Sequence, residues 1–291
     1  MSSVDTRLAN QLVNASTLAY ADGLDAIRHS PYFTSSKLID NSQLTQFKVG
    51  IDSVLMGQTA TDVVIAFRGT MPPDQADPTR AIAAAEDWLN DDDLFLTTVN
   101  YSAGRVHTGF ARSLDNLWNP LSGAIQSANR NGGKIYVTGH SKGGALAALA
   151  ALRLISQNVS PASVITFGAP RTGDENFAAA YSNLMPNHWR FEHRNDIVPH
   201  LPPRPAVFQF LKLLGRFKGL SDLLKKIHLP IGDYTSVGNM CFLDWNNKLD
   251  QEDTTALEFE REGRLIIAGE ELVTDHFTSA YIETMQLAFG N

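Results

Sequence analysis

One serine in the sequence lies where its neighbours would expose its hydroxyl as a nucleophile. Gly139-His140-Ser141-Lys142-Gly143 fits the pattern G-x-S-x-G, with a β-like run before it (134–139) and an Ala/Leu-rich helical run after it (141–157). In a nucleophile elbow the serine occupies a strained turn between strand and helix, and the glycines leave room for both. The turn directs the helix N-terminus at the hydroxyl, where backbone N–H groups stabilise an oxyanion. The pattern predicts Ser141 as a nucleophile.

A serine nucleophile needs a base, and the base needs a carboxylate that orients it. With an elbow of this kind the chain order is Ser, then Asp or Glu, then His, each in a loop after a strand. Histidines follow Ser141 at five positions: His188, His193, His200, His228 and His276. Among them, His276 alone falls in a short loop between a predicted last strand (264–269) and a predicted final helix (277–289). The order therefore favours His276 as the base.

The acid has one favoured position and one alternative. Asp196 directly follows a predicted strand (189–194) and precedes a loop that prolines stiffen. Asp174 follows the preceding strand and is the alternative, whereas Asp275 is too close along the chain to His276 to orient its ring easily.

The elements that must position these residues alternate between two types. We predict strands at 47–51, 53–57, 63–67, 134–139, 163–168, 189–194 and 264–269, and helices at 107–130, 141–157, 174–184 and 277–289. Leu8, Leu12, Ala15 and Ala19 recur at helical spacing and predict an amphipathic first helix. Such alternation predicts an α/β fold, with a largely parallel sheet and helices on both faces.

Composition and charge narrow the class of protein. The chain has 291 residues, of which 43% are hydrophobic, and its net charge of −7 argues against a nucleic-acid binder. One cysteine, Cys241, excludes an internal disulfide framework, and its strand-like surroundings predict a buried thiol. No zinc-type motif, signal peptide or membrane-spanning run is evident. We therefore expect no metal, no transmembrane segment, and a cytoplasmic protein or one exported without a cleavable signal peptide.

Seven short motifs together resemble the class 3 lipases, the fungal-lipase-like members of the α/β-hydrolase superfamily. They occur in the family's order at 67–70, 87–91, 106–110, 139–144, 166–174, 194–203 and 275–276. The resemblance covers roughly residues 5–285 and implies one α/β-hydrolase domain over 1–291. It implies Ser141 as nucleophile, Asp196 as acid and His276 as base. It further implies that Thr70 and the backbone N–H of Lys142 form the oxyanion hole.

The activity implied by the resemblance is that of a carboxylic ester hydrolase acting on acylglycerols, with no cofactor. Phospholipase A1 and feruloyl-type esterase activities are alternatives, and a catalytically silent lipid-binding module is the rival from another class. The sequence does not indicate an oligomeric state. Transient binding to a lipid interface is expected of such an enzyme.

Lys142 departs from the family pattern, because the residue after the nucleophile is more often apolar. Its cation would favour the oxyanion, retain an acidic product, or pair with a nearby carboxylate, and we favour the last of these. His140 and His200 are interpreted as satisfied polar residues near the site, and His107 and Phe110 as packing behind it.

Two segments have no counterpart in the alternation of strands and helices. Residues 71–93 fall where the family has its lid, and Trp88 and Leu89 are candidates for its inner face; the alternative is an acidic surface loop. Residues 202–230 are basic and amphipathic, which predicts either docking on a lipid surface or a cap packed on the body.

Overall fold

The computed structural model describes residues 3–70, 95–128, 132–202, 234–268 and 271–290. The candidate lid, with Trp88 and Leu89, and nearly all of the 202–230 segment lie outside these ranges.

The centre of the fold is a mixed sheet of eight strands among the described residues. These are β1 (Thr45–Val49), β2 (Asp52–Gln58), β3 (Val63–Phe67), β6 (Ile135–His140), β7 (Ser163–Phe167), β9 (His188–His193), β11 (Asn239–Leu243) and β12 (Leu249–Asp250), in that order across the sheet. The five strands from β3 to β11 run parallel, and the outer pairs are antiparallel. The carboxyl ends of the parallel strands therefore share one edge.

A smaller antiparallel sheet lies beside this edge. It contains β4 (Leu96–Thr98), β5 (Arg105–His107), β8 (Gly173–Asp174) and β10 (Tyr234–Thr235).

Helices lie on both faces of the large sheet. They are α1 (Thr6–Leu18), α2 (Leu24–His29), α3 (Tyr32–Ser36), α4 (Thr108–Ala128), α5 (Lys142–Ser156), α6 (Glu175–Leu184), α7 (Thr255–Ile267), α8 (Glu271–Thr274) and α9 (Thr278–Phe289). Successive residues of β3 face opposite ways: Val63, Ile65 and Phe67 pack with α4 and α5, whereas Val64 and Ala66 pack with α1 and α9. A strand buried on both faces explains the uninterrupted apolar run.

The predicted strand at 264–269 is wrong. Residues Arg264–Ile267 form the last turn of α7, because the preceding sequence strongly favours a helix. Thr254 caps that helix by accepting the Leu257 N–H at 3.2 Å, and Arg264 pairs with Glu260 one turn earlier at 3.0 Å. The last parallel strand is instead β11, which carries Cys241, and Cys241 is buried as predicted.

None of the described helices combines the length and apolar character that a membrane span requires. Within the described ranges, no group of three or more His, Cys, Asp or Glu side chains is arranged to hold a metal ion.

Candidate active site

Ser141 lies between the end of β6 and the start of α5, at the carboxyl edge of the sheet. Its backbone is held at φ +58° and ψ −135°, which a residue with a side chain rarely adopts. A Cβ on Gly139 would overlap the Gly143 carbonyl, so glycine is required where strand and helix approach. The Ser141 N–H donates to the Phe167 carbonyl at 2.9 Å, which fixes the elbow against β7.

His276 and Asp196 form a buried pair close to this elbow. The His276 Nδ1 lies 2.8 Å and 2.9 Å from the two Asp196 carboxylate oxygens. A carboxylate accepts, so Nδ1 carries the proton and the lone pair is on Nε2. This Nε2 is buried and has no hydrogen-bond partner among the described residues. Asp196 therefore holds the imidazole with an accepting nitrogen that no described group uses.

The end of β7 connects this pair with the elbow. A Cβ added to Gly168 would lie 2.7 Å from Asp196 Oδ2 and 2.9 Å from His276 Nδ1, so the backbone passes directly beside the pair. The preceding residue, Phe167, accepts the hydrogen bond from Ser141. The Ser141 backbone and the side chains of Asp196 and His276 thus meet at one short stretch, Phe167-Gly168.

Two further donors hold the Asp196 carboxylate. The Tyr281 hydroxyl donates to Oδ2 at 2.7 Å, and the Val198 N–H donates to Oδ1 at 2.9 Å. Burial, followed by the charge of Asp196, raises the pKa of Tyr281 well above its ordinary value, so this phenol stays a neutral donor.

The other candidate acids are occupied elsewhere. Asp174 caps α6 by accepting the Phe177 N–H at 2.9 Å and pairs with Arg105 at 3.1 Å. Asp275 accepts from the backbone and side chain of Asn195, both at 3.1 Å. Asp196 is the carboxylate that contacts the His276 ring.

The end of β3 faces the elbow from the opposite side. A Cβ on Gly69 would lie 2.9 Å from the Ser141 Cβ, so the Arg68-Gly69-Thr70 backbone packs directly on Ser141. The Thr70 Oγ1 is buried and has no hydrogen-bond partner among the described residues. Lys142 begins α5, where backbone N–H groups have no acceptor within the helix. These groups are donors that an oxyanion would satisfy.

The Lys142 side chain turns to a carboxylate. Its Nζ donates to Asp52 Oδ1 at 2.7 Å, and the two side chains are 8% and 5% exposed. Of the three interpretations drawn from the sequence, pairing with a local carboxylate is therefore correct. The cation still influences its surroundings: burial, and then the charge of Lys142, lowers the pKa of His107 to about 4.

Several of these contacts have no signal in the sequence. Tyr281 lies in an ordinary helical run, and Asp52 begins a strand far from the elbow along the chain. His140 is satisfied, as the sequence indicated, since both of its ring nitrogens are hydrogen-bonded. His107 and Phe110 stack with ring centroids 4.0 Å apart, which agrees with a packing role.

Comparisons with known proteins agree with this geometry. Residues 64–206 match the sequence model of the family described as Lipase (class 3). Over 152 residues the chain is 32% identical to a lipase of Caenorhabditis elegans, covering 51% of this chain and 40% of that protein. Over 167 residues it is 34% identical to a lipase of Rhizomucor miehei, covering 54% and 42%.

The matched part thus spans about two fifths of the length of either relative. Among solved structures, that of Rhizomucor miehei triacylglyceride lipase is similar in fold, with a TM-score of 0.59 over 84% of this chain and 82% of that chain at 20% identity. The chain has the α/β-hydrolase fold, and its residues 64–206 belong to the class 3 lipase family.

Proposed function

We propose that this protein is a serine carboxylic ester hydrolase. The observation that carries the proposal is the buried His276–Asp196 pair beside Ser141, with His276 Nε2 left without a partner in the described structure. A buried imidazole nitrogen whose lone pair no described group uses is available to accept a proton.

The geometry supports a two-step reaction. The Ser141 Oγ attacks the ester carbonyl while His276 Nε2 takes its proton, and Asp196 stabilises the imidazolium. The oxyanion is stabilised by the backbone N–H groups of Thr70 and Lys142 and by the Thr70 hydroxyl. His276 then protonates the leaving alcohol. Water activated by His276 hydrolyses the acyl-enzyme and releases the carboxylic acid, and no step needs a cofactor.

The substrate class we propose is an acylglycerol presented at a lipid surface. The fold is shared with a protein described as a triacylglyceride lipase. Support also comes from the rim of the site. Ile51 lies in the turn between β1 and β2, next to Asp52, which pairs with Lys142 at the start of α5. Its carbonyl accepts a hydrogen bond from the Arg68 side chain at the end of β3. Ile51 is 72% exposed, an apolar side chain at the edge where an acyl chain would enter.

Turnover of a p-nitrophenyl ester tests the hydrolase proposal. We expect wild-type turnover, and a kcat about 10⁵- to 10⁶-fold lower in Ser141→Ala, because the nucleophile and its base act as a unit. A Ser141→Ala variant as fast as the wild type would show that another group attacks the ester.

The lipid-surface proposal needs a separate comparison. Ile51→Ser is compared with Leu287→Ser, which changes an apolar residue of α9 that is 61% exposed. Ile51→Ser should slow hydrolysis of a triglyceride emulsion more than that of a soluble short-chain ester, whereas Leu287→Ser should affect neither. Equal losses on both substrates in Ile51→Ser would contradict docking at this rim. Faster turnover of phospholipid vesicles than of triglyceride would instead indicate a phospholipase.

A further inference from the structure

A chain of hydrogen bonds runs behind the proposed active site and takes no part in the reaction described above. The Tyr20 hydroxyl, just after α1, lies 2.7 Å from His140 Nδ1. The other nitrogen of that ring, Nε2, lies 2.6 Å from the backbone carbonyl of His276. The ring of His140, which is 2% exposed, thus joins the first helix to the loop that holds the proposed base.

The partners decide the direction of each bond. A carbonyl oxygen accepts and never donates, so His140 Nε2 must carry the proton that points at His276. The neutral ring then has its lone pair on Nδ1, which accepts from the Tyr20 hydroxyl. Burial, and then the neighbouring His276, lowers the pKa of His140 to about 3, so the neutral ring persists at neutral pH.

The chain continues to the oxyanion side of the site. The Tyr20 hydroxyl lies directly against Gly69, where an added Cβ would be 2.2 Å from its oxygen. Burial raises the pKa of Tyr20 well above its ordinary value, so the phenol stays neutral and donates to His140. Gly69 immediately precedes Thr70 and packs on the Ser141 side chain.

We propose that Tyr20 and His140 are positioning residues that hold the His276 backbone and the end of β3 in one fixed arrangement around Ser141. The inference rests on the hydrolase function proposed above. The His140 ring accepts at Nδ1 and donates from Nε2, so these hydrogen bonds run in one direction, from Tyr20 to the His276 carbonyl. A small displacement of the base or of the oxyanion donors slows a reaction steeply, which gives such a chain a kinetic effect.

The fold offers a matched control for the tyrosine. Tyr181 in α6 is fully buried, and its hydroxyl has no hydrogen-bond partner among the described residues. Tyr20→Phe and Tyr181→Phe are the same chemical change, each removing one phenol oxygen. They differ in whether that oxygen takes part in the hydrogen bonds to His140 and His276.

The experiment measures kcat and KM on a soluble p-nitrophenyl ester for both variants. Tyr20→Phe should lower kcat about 10-fold with KM within about twofold of the wild type, because the hydroxyl positions groups that act in the transition state. Tyr181→Phe should change neither. Equal kcat values for the two variants would overturn the proposal.

Two substitutions of His140 test the direction of the chain. The amide N–H of Gln in His140→Gln reaches the position of Nε2 and keeps the bond to His276, whereas His140→Asn reaches only the position of Nδ1. We expect kcat to fall about 100-fold in His140→Asn and clearly less in His140→Gln. A rate in His140→Gln at or below that of His140→Asn would contradict the assigned direction.

Labelling of Ser141 by a fluorophosphonate probe separates this proposal from the hydrolase function. The labelling rate depends on the same elbow and base but on no ester substrate. Absence of ester turnover in the wild type would refute the proposed function. The labelling rates of Tyr20→Phe and Tyr181→Phe, measured on protein shown by circular dichroism to be folded, would still support the positioning role if only Tyr20→Phe is slowed, and overturn it if the two are equal.

Discussion

Ser141 lies between two buried pairs of ionisable side chains, His276 with Asp196 and Lys142 with Asp52, and the two pairs differ in their hydrogen bonding. On the base side, Asp196 holds His276 by Nδ1 and leaves Nε2 without a partner in the described structure. On the oxyanion side, Lys142 and Asp52 neutralise each other at 2.7 Å. A pair that closes on itself fixes two elements together, whereas a pair with one atom left open can exchange a proton with a substrate. In the proposed reaction, the unused lone pair on His276 Nε2, rather than the charge or the burial of the pair, makes the base-side pair reactive.

The largest expected effect on kcat comes from removing the carboxylate that pairs with His276. Asp196→Asn should lower kcat on a soluble ester about 10⁴-fold, because an amide no longer fixes the tautomer that leaves Nε2 as the acceptor. The matched change on the other side, Asp52→Asn, should lower kcat of the folded protein less than about 10-fold. Similar kinetic losses in the two variants would remove the distinction between the two pairs.

For the free energy of unfolding we expect the opposite ranking, with Asp52 contributing more than Asp196. Asp52→Asn leaves the Lys142 cation buried without its counter-charge, and we expect the free energy of unfolding to fall by about 3–5 kcal/mol. The double variant Lys142→Met with Asp52→Leu should recover most of this loss, since an apolar pair of similar volume needs no compensation. Urea unfolding measures both. A double variant no more stable than Asp52→Asn would indicate that the pair does more than balance charge.

Two buried histidines near the site, His140 and His107, are neutral, and both should make the free energy of unfolding depend on pH. The pKa is lowered to about 3 in His140 and to about 4 in His107, in both cases mainly by burial. Between these pKa values and about pH 6.5, the two histidines are protonated in the unfolded chain but remain neutral in the folded chain. Stability therefore falls as pH falls, by about 1.4 kcal/mol per pH unit for each ring.

The measurement is urea unfolding at several pH values between 6.5 and 5. His107→Gln should make the dependence shallower by about 1.4 kcal/mol per pH unit relative to the wild type. An unchanged slope would mean that His107 is already protonated in the folded protein.

The smallest effect concerns the Tyr281 hydroxyl, which supports the base-side pair from behind. Tyr281→Phe removes one of the donors to Asp196 but leaves the Val198 N–H in place. We expect kcat to fall about 5- to 10-fold, in line with one hydrogen bond to a charged group that acts indirectly. A loss as large as that of Asp196→Asn would place Tyr281 among the groups that the reaction requires.

The features that the sequence made predictable are those encoded by neighbouring residues. The elbow at 139–144 is contiguous, and Asp196 follows a strand that the structure contains. His276 was favoured partly by a predicted strand at 264–269 that is a helix, so its place after Asp196 in the chain order is the part of that argument that still holds. The pairing of Lys142 with Asp52 and of His140 with Tyr20 joins residues 90 and 120 positions apart, so no local pattern records it. Their residue types were visible, but their partners depended on the tertiary fold.

The error at 264–269 has a local cause. Leu265, Ile266 and Ile267 are typical of a strand when taken alone, and β-branched residues favour strands. The helix begins ten residues earlier, however, at a threonine cap, and once begun it extends at little cost through a short apolar run. Residues 264–267 are helical because the helix starts at the Thr254 cap and continues through them, although their own composition favours a strand.

The backbone of Ser141 has a consequence for how durable this protein can be. A side chain at φ +58° is held there at a cost of about 1–3 kcal/mol that the rest of the fold must cover. Glycine would occupy the same turn without that cost, so Ser141→Gly should unfold at a higher temperature than the wild type while losing its activity. Selection for thermal stability alone would therefore favour glycine at this position, and a serine there lowers stability in return for the proposed reactivity.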